Sequence, residues 1–243
     1  WNDDEPGYGS RLILDNLGAG LSLFVSGSFN RVEDRSSEGI ASWNGSAWTT
    51  YVGGLLHVYE FGESDIAILD GGQGPMLYVA GIWMDQNYQI SPVARWNGTA
   101  WEELGEFESD SLGIAQGRAL TIFDDGTGPL LYLCGTFAKI NGQSMYRVAR
   151  FDGTAWSSAG GHYSTTTTFG DLEVHDTGNG PQLYAGGYLR ASGVSAYVAR
   201  FNGSSWVPVE NGPGYGVSRI RSVNFDGTQL LFAGGDFVNV ENN

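Results

Sequence analysis

Residues 94–101 read ARWNGTAW, and the same word returns as ASWNGSAW at 41–48, ARFDGTAW at 149–156 and ARFNGSSW at 199–206. Each copy runs from small and apolar residues to an aromatic, turns through Asn-Gly or Asp-Gly, and closes on a tryptophan. Those dipeptides supply the positive φ angles that tight β-turns require. The word therefore predicts a strand, a turn and a second strand, with aromatic side chains packing on both arms.

A second word precedes each copy and occurs once more beyond the last: LFVSG (23–27), LYVAG (77–81), LYLCG (131–135), LYAGG (183–187) and LFAGG (231–235). Before each comes an alternating apolar run ending in aspartate, at Asp15, Asp70, Asp124, Asp176 and Asp226. Alternation over a short run marks a half-buried strand, and turns such as DDGTGP (124–129) separate the two words. The unit thus holds four strands. Its closing tryptophans, Trp48, Trp101, Trp156 and Trp206, stand 53, 55 and 50 residues apart, and Trp1 lies 47 residues before the first. The stretch DDEPGYGS (3–10) after Trp1 parallels ENGPGYGVS (210–218) after Trp206, so Trp1 reads as a leftover closing strand.

One such unit of about 50 residues cannot bury both faces of its sheet and must stack on copies of itself. A closed ring of these sheets removes most exposed edges, and that architecture is the β-propeller. The expectation is an all-β, five-bladed β-propeller with four-stranded antiparallel blades, forming a single domain over 1–243. Its units run 2–51, 52–104, 105–159, 160–209 and 210–243 plus Trp1, so the last blade is completed by the N-terminal strand. One third strand of that blade falls after Asn243 in the pattern. Tryptophan at a fixed place in each unit reads as inter-blade packing, each ring burying on the order of 150–250 Å².

Composition agrees. Thirty-eight glycines against seven prolines, with 13% aromatic and 16% charged residues, is the balance of short strands and tight turns. No stretch of ten residues carries helical apolar spacing free of breakers. A formal charge of −15 repels phosphate backbones and anionic lipid headgroups, so nucleic acid is not an expected partner. Acidic surfaces suit a secreted protein, and the expected place is extracellular or at the cell surface. The lone Cys134 has no internal disulfide partner and reads as a small buried thiol. No apolar run reaches the roughly 18 residues that span a bilayer, and the N-terminus lacks a signal pattern. A mature, processed or excerpted soluble segment fits, free to be one part of a longer repeat array.

The order of glycine-ended strand, V-A-R-F or V-A-R-W, and closing Trp resembles the kelch-like propeller repeat, over essentially the whole chain. It is similar also to glycine-rich secreted bacterial repeat proteins of unassigned function and to fungal cortical polarity-marker propellers. The double glycine occurs at Gly186-Gly187 and Gly234-Gly235, and Phe201 stands five residues before Trp206 where kelch repeats usually show six. The resemblance implies a fold and a display scaffold but little chemistry.

Recurring residues belong to the scaffold, so candidate sites are sought where the repeats differ. The second-to-third strand loops (30–39, 85–92, 138–146, 189–197) and the loops between units (53–64, 104–117, 159–170, 210–218) open on one face of a propeller. They carry Tyr59, Phe61, Tyr88, Tyr146, Tyr163, Tyr197 and Tyr215 together with acids such as Asp85. Aromatics among polar groups suit sugar stacking or a protein hot spot, and the competing reading is that they pack their own loops. A ring of Asp15, Asp70, Asp124, Asp176 and Asp226 is a weak candidate for calcium. Their recurrence favours turn capping, and no other cofactor is indicated. His57, His162 and His175 lack metal-ligand spacing. The sequons at Asn44, Asn97 and Asn202 coincide with the hairpin turns.

The function expected is a non-catalytic extracellular recognition or structural module that binds a protein or glycan surface through its loop-rich face. The alternatives are a lectin-like carbohydrate-binding propeller, a five-bladed glycoside hydrolase with paired carboxylates near the axis, and a structural surface-layer or adhesive unit.

Overall fold

The computed structural model describes residues 8–54, 56–57, 64–85, 89–109, 113–161, 167–191, 194–210, 212–213 and 215–237. All regular structure among them is β, and no helix is long and apolar enough to cross a membrane. The chain divides into two compact units, Trp1–Glu106 with Ala115–Gly117 and Phe107–Ile114 with Arg118–Asn243. Each is taken by itself.

In the first unit, repeat 1 forms an antiparallel sheet ordered Tyr8–Asn16, Leu21–Ser28, Ile40–Trp43 and Trp48–Thr50. Repeat 2 repeats the order with Asp65–Asp70, Pro75–Met84, Ile90–Trp96 and Trp101–Glu103. A short segment, Leu56–His57, pairs with the far end of its second strand. In the second unit, repeat 3 supplies Gly117–Asp124, Pro129–Gly135, Val148–Phe151 and Trp156–Ser158, and repeat 4 supplies Thr168–Asp176, Pro181–Ala191, Val194–Phe201 and Trp206–Pro208. Repeat 5 contributes two described strands, Val217–Phe225 and Thr228–Gly235. The predicted four-stranded unit is thus present in four repeats and half-present in the fifth.

Each sheet has two unlike ends. At one end sit the turn after the first strand and the hairpin after the third, both short. At the other sit the long loops, which in repeat 3 fold into a small sheet of Phe107–Glu108, Lys139–Ile140 and Gln143–Ser144.

The short turns explain the recurring polar residues. Oδ1 of Asp70, Asp124 and Asp176 each accepts the N–H groups of the glycines two and four residues on, at 2.7–3.1 Å. In repeat 1 Asn16 takes that place, bonding Gly18 and Gly20, while Oδ1 of Asp15 accepts only the Asn16 N–H. Repeat 5 turns more tightly through Asp226-Gly227, with φ of 50° and 82°. The five aspartates are therefore not equivalent: Asp15 is one residue short of the acceptor position, and Asp226 is itself a turn residue.

The hairpins also differ from expectation. Only the glycine takes positive φ, as at Gly45 (94°) and Gly98 (102°). The Asn or Asp before it acts through its side chain: Oδ1 of Asn97 accepts from Thr99 N, Thr99 Oγ1 and Ala100 N at 2.9–3.0 Å. Asn44, Asp152 and Asn202 accept from the same three positions. A side-chain oxygen that replaces a main-chain carbonyl in a turn accounts for the hydroxyl residue two positions on. The sequons are a by-product of this turn.

Consecutive sheets pack face to face. In the first unit Phe24, Ile40 and Tyr51 of repeat 1 meet Ile66, Leu77, Val79 and Ala94 of repeat 2. In the second, Tyr132, Cys134 and Val148 of repeat 3 meet Leu172, Leu183, Ala185 and Phe201 of repeat 4, whose other face meets Val217 and Ile220 of repeat 5. The closing tryptophan ties neighbours together. Trp101 Nε1 donates to the Tyr51 carbonyl at 3.2 Å, and Trp206 Nε1 to the Ala159 carbonyl at 2.9 Å. Tyr51 and Ala159 each stand three residues after the preceding repeat's tryptophan, so the same link recurs.

Two terminal faces remain open to water. Leu12 of repeat 1 is 61% exposed, although its counterparts Ile66 and Leu172 are buried, and Leu14 on the same strand reaches 64%. Phe232 of repeat 5 is 53% exposed, although its counterpart Tyr184 is buried, and Phe225 beside it reaches 68%.

Substituting Trp206 by alanine removes a buried indole with its hydrogen bond and should cost about 3–5 kcal/mol, measured by urea unfolding. Gly187 holds φ at 156°, and a methyl there would collide with the Thr168 carbonyl oxygen. Gly178 holds φ at 97° with open space around it. Gly187→Ala should therefore destabilise by more than about 2 kcal/mol, and Gly178→Ala by about 1; melts in the reverse order would refute this account of the glycines.

Candidate functional site

The carboxylates do not converge. Asp70, Asp124 and Asp176 are spent on their own turns, and among the described residues no group of three metal-ligating side chains is gathered. Asp85 closes the turn between the second and third strands of repeat 2: its N–H donates to the Gln89 carbonyl, and Oδ1 accepts the Gln89 N–H at 2.8 Å. Burial, and secondarily the Asp85 charge, raises the Glu103 carboxyl above its ordinary range.

The bulge on the first strand holds a charge that sequence periodicity did not single out. Asp171 is fully buried, and its Oδ2 accepts from Ile220 N at 2.9 Å and Arg221 at 2.8 Å. Arg221 also reaches Glu173 at 3.3 Å. The equivalent Asp65 is buried beside Arg11, whose Nε stands 2.9 Å from its Oδ1. These carboxylates join adjacent first strands and are neutralised by arginine. A glycosidase needs one carboxyl free to exchange a proton with substrate and another free to attack or activate water; Asp171 and Glu173 are engaged otherwise. The signal for them lay five residues upstream of each turn aspartate, in SD-I and GD-L.

His175 is packed on Tyr184, with ring centroids 5.6 Å apart, and its Nδ1 lies 2.9 Å from Ser222 Oγ. A serine nucleophile needs its histidine oriented by a third group. Among the described residues no acid engages the other ring nitrogen, and the pair serves the junction between repeats 4 and 5.

The structure does bring together tyrosines at the long-loop end of repeats 4 and 5. Tyr197 lies in the third strand of repeat 4 and Tyr215 leads into the first strand of repeat 5. Their rings stack at 6.1 Å with 29° between planes. Tyr188, at the end of the repeat 4 second strand, joins them at 5.7 Å from Tyr197. Tyr215 is 64% exposed, and Tyr188 and Tyr197 are half-buried.

The row is distinguished by its hydroxyls. Tyrosines of the packed sheets use theirs: Tyr51 with Ser42 at 3.0 Å, Tyr132 with Asp125 at 3.3 Å, Tyr184 with Gln182 at 3.4 Å. Burial raises the Tyr51 and Tyr132 phenols, as it does Tyr78. The hydroxyls of Tyr188, Tyr197 and Tyr215 have no hydrogen-bond partner among the described residues.

Of the residues singled out in the sequence, Tyr197 and Tyr215 are thus adjacent. Tyr146 sits apart, in the repeat 3 hairpin loop at φ 52°, where its N–H reaches the Ala138 carbonyl at 3.3 Å. Tyr59, Phe61, Tyr88 and Tyr163 lie outside the described residues, as do Trp1 and His162. Tyr188 was missed because it falls between the word LYAGG (183–187) and the loop taken from 189; its signal is that no other repeat places an aromatic there.

The chain was compared with protein-family models, with curated proteins and with solved structures, and nothing in any of the three matches it.

Removing the Asp171 carboxylate leaves the buried Ile220 N–H without its acceptor and takes from Arg221 one of its two carboxylate partners. Asp171→Ala should destabilise by about 3–5 kcal/mol. Thermal unfolding of the variant measures this, and a change under about 1 kcal/mol would show that the charge is dispensable to the scaffold.

Proposed function

We propose that the chain is a non-catalytic recognition module, working outside the cell, that engages its partner through Tyr188, Tyr197 and Tyr215. The observation that carries this is the contrast between the packed tyrosines, whose hydroxyls are bonded, and these three, whose hydroxyls have no partner among the described residues and which lie at a partly exposed surface. Tyrosine joins large apolar area to a polar tip at low entropic cost, which is why it is enriched in binding surfaces. The scaffold in this reading is a five-bladed β-propeller. Face-to-face stacking of consecutive sheets, the recurring indole link and the kelch-like word order support it.

A phage-displayed random peptide library panned against the intact chain tests the reading. Selected clones should bind the wild type and lose binding to a Tyr197→Ser/Tyr215→Ser variant whose melting temperature stays within about 2 °C. Clones that bind both proteins equally place recognition elsewhere.

A structural or adhesive unit is the second reading, favoured by the exposed Leu12, Leu14, Phe225 and Phe232. In a propeller these faces are covered within the ring; in an array, by neighbouring units. Sedimentation over a concentration series separates the two: a monomer at all concentrations supports the ring, and growing assemblies support the array.

A further inference from the structure

We infer that the tyrosine row binds a neutral glycan chain, with a pyranose ring laid on the free face of Tyr215. This rests on the recognition reading and specifies its ligand. Tyr197 stacks on one face of Tyr215, and with 64% of the residue exposed the other face is the open end of a row in which Tyr188 is tilted by 42° against Tyr197. A ligand that extends such a stack must present a broad, weakly polar surface to the ring while hydrogen-bonding around its rim. A pyranose has that form, with C–H groups on its faces and hydroxyls at its edge.

The rim is supplied with both hydrogen-bonding senses. Tyr188, Tyr197 and Tyr215 offer hydroxyls that donate and accept. Arg190 and Ser195 are paired in register on the same hairpin, and both are exposed. Alternation sets them on the face of Tyr188 and Tyr197, because the intervening Leu189 and Ala196 are buried. Arginine only donates. Asp236, exposed, only accepts when ionised, and its N–H bonds the carbonyl of Gly216, the residue after Tyr215, at 3.1 Å. A sugar hydroxyl both donates and accepts, and this mixed set can satisfy it.

Competing ligands fit less well. The formal charge of −15 opposes sulfated and uronic acid chains. A peptide could not add as a strand beside Tyr188, because that stretch of Pro181–Ala191 lies between Thr168–Asp176 and Val194–Phe201 and presents no open edge. Two of the rings come from paired strands and the third from the segment leading into Val217–Phe225, which pre-orders them and lowers the entropic cost of binding.

A glycan array probed with the intact chain tests this, followed by titration calorimetry with the best-bound neutral oligosaccharide. Expected are binding to neutral glycans, a loss of tenfold or more on Tyr215→Ala (about 1.4 kcal/mol), and retention on Tyr215→Trp. Affinity should change little between about 0.15 M and about 1 M salt. Binding confined to anionic glycans, no binding to any glycan, or an unchanged Tyr215→Ala variant would overturn the assignment. If peptide clones selected on the wild type still need Tyr197 and Tyr215 while the array is blank, the ligand class is wrong and the recognition surface stands. If both fail, the recognition reading falls as well.

Discussion

A sheet with apolar side chains on both faces needs a neighbour on each side, and everything else in this protein follows from that need. Four short strands cannot cover themselves. Phe24 of repeat 1 and Leu172 of repeat 4 are buried because another sheet lies against them, whereas Leu12 and Phe232, at equivalent kinds of position, are more than half exposed. The difference is not in the residues. It is in whether a copy of the same surface is present to meet them.

Stacking by hydrophobic area alone leaves sheets free to slide, and two polar devices fix their register. The indole N–H of Trp101 or Trp206 has one acceptor, the carbonyl three residues beyond the preceding repeat's tryptophan. The buried Asp171 takes a main-chain N–H and an arginine from the next first strand. Neither device adds much area. Each penalises a shifted arrangement, because a shift would leave a buried donor or charge without its partner.

The sequence showed the strands, turns and repeat unit clearly because these are local: alternation, glycine at positive φ and an acceptor two residues ahead of it all act within a few positions. It misplaced Asp15 and Asp226, since the difference between ending a strand and capping the next turn is one residue, and strand ends are not sharply encoded. Asp65 and Asp171 were not singled out, because burial of a charge depends on an arginine near fifty positions away in the chain. The association of Tyr197 with Tyr215 was visible only as shared loop location. Their contact with Tyr188 depends on the bulge that shifts the strand pairing between Gly186 and Leu189, which no local pattern announces.

That bulge also explains why the tyrosine row is separable from the scaffold. The place of Tyr188 is held by Ser28, Ile82, Thr136 and Asp236 in the other repeats, and that of Tyr197 by Gly39, Pro92 and Arg147. Gly39 is fixed by its φ of 81° and by the Gly27 carbonyl, but residues so unlike in size and polarity show that the repeated unit calls for no aromatic at either position. Large aromatics have nonetheless been placed at both, next to a third. A folding requirement repeats with the unit, as the tryptophans and turn acceptors do; partly exposed aromatics found in one repeat alone, with no hydroxyl partner among the described residues, stand outside that requirement, which is the ground for reading them as a recognition surface.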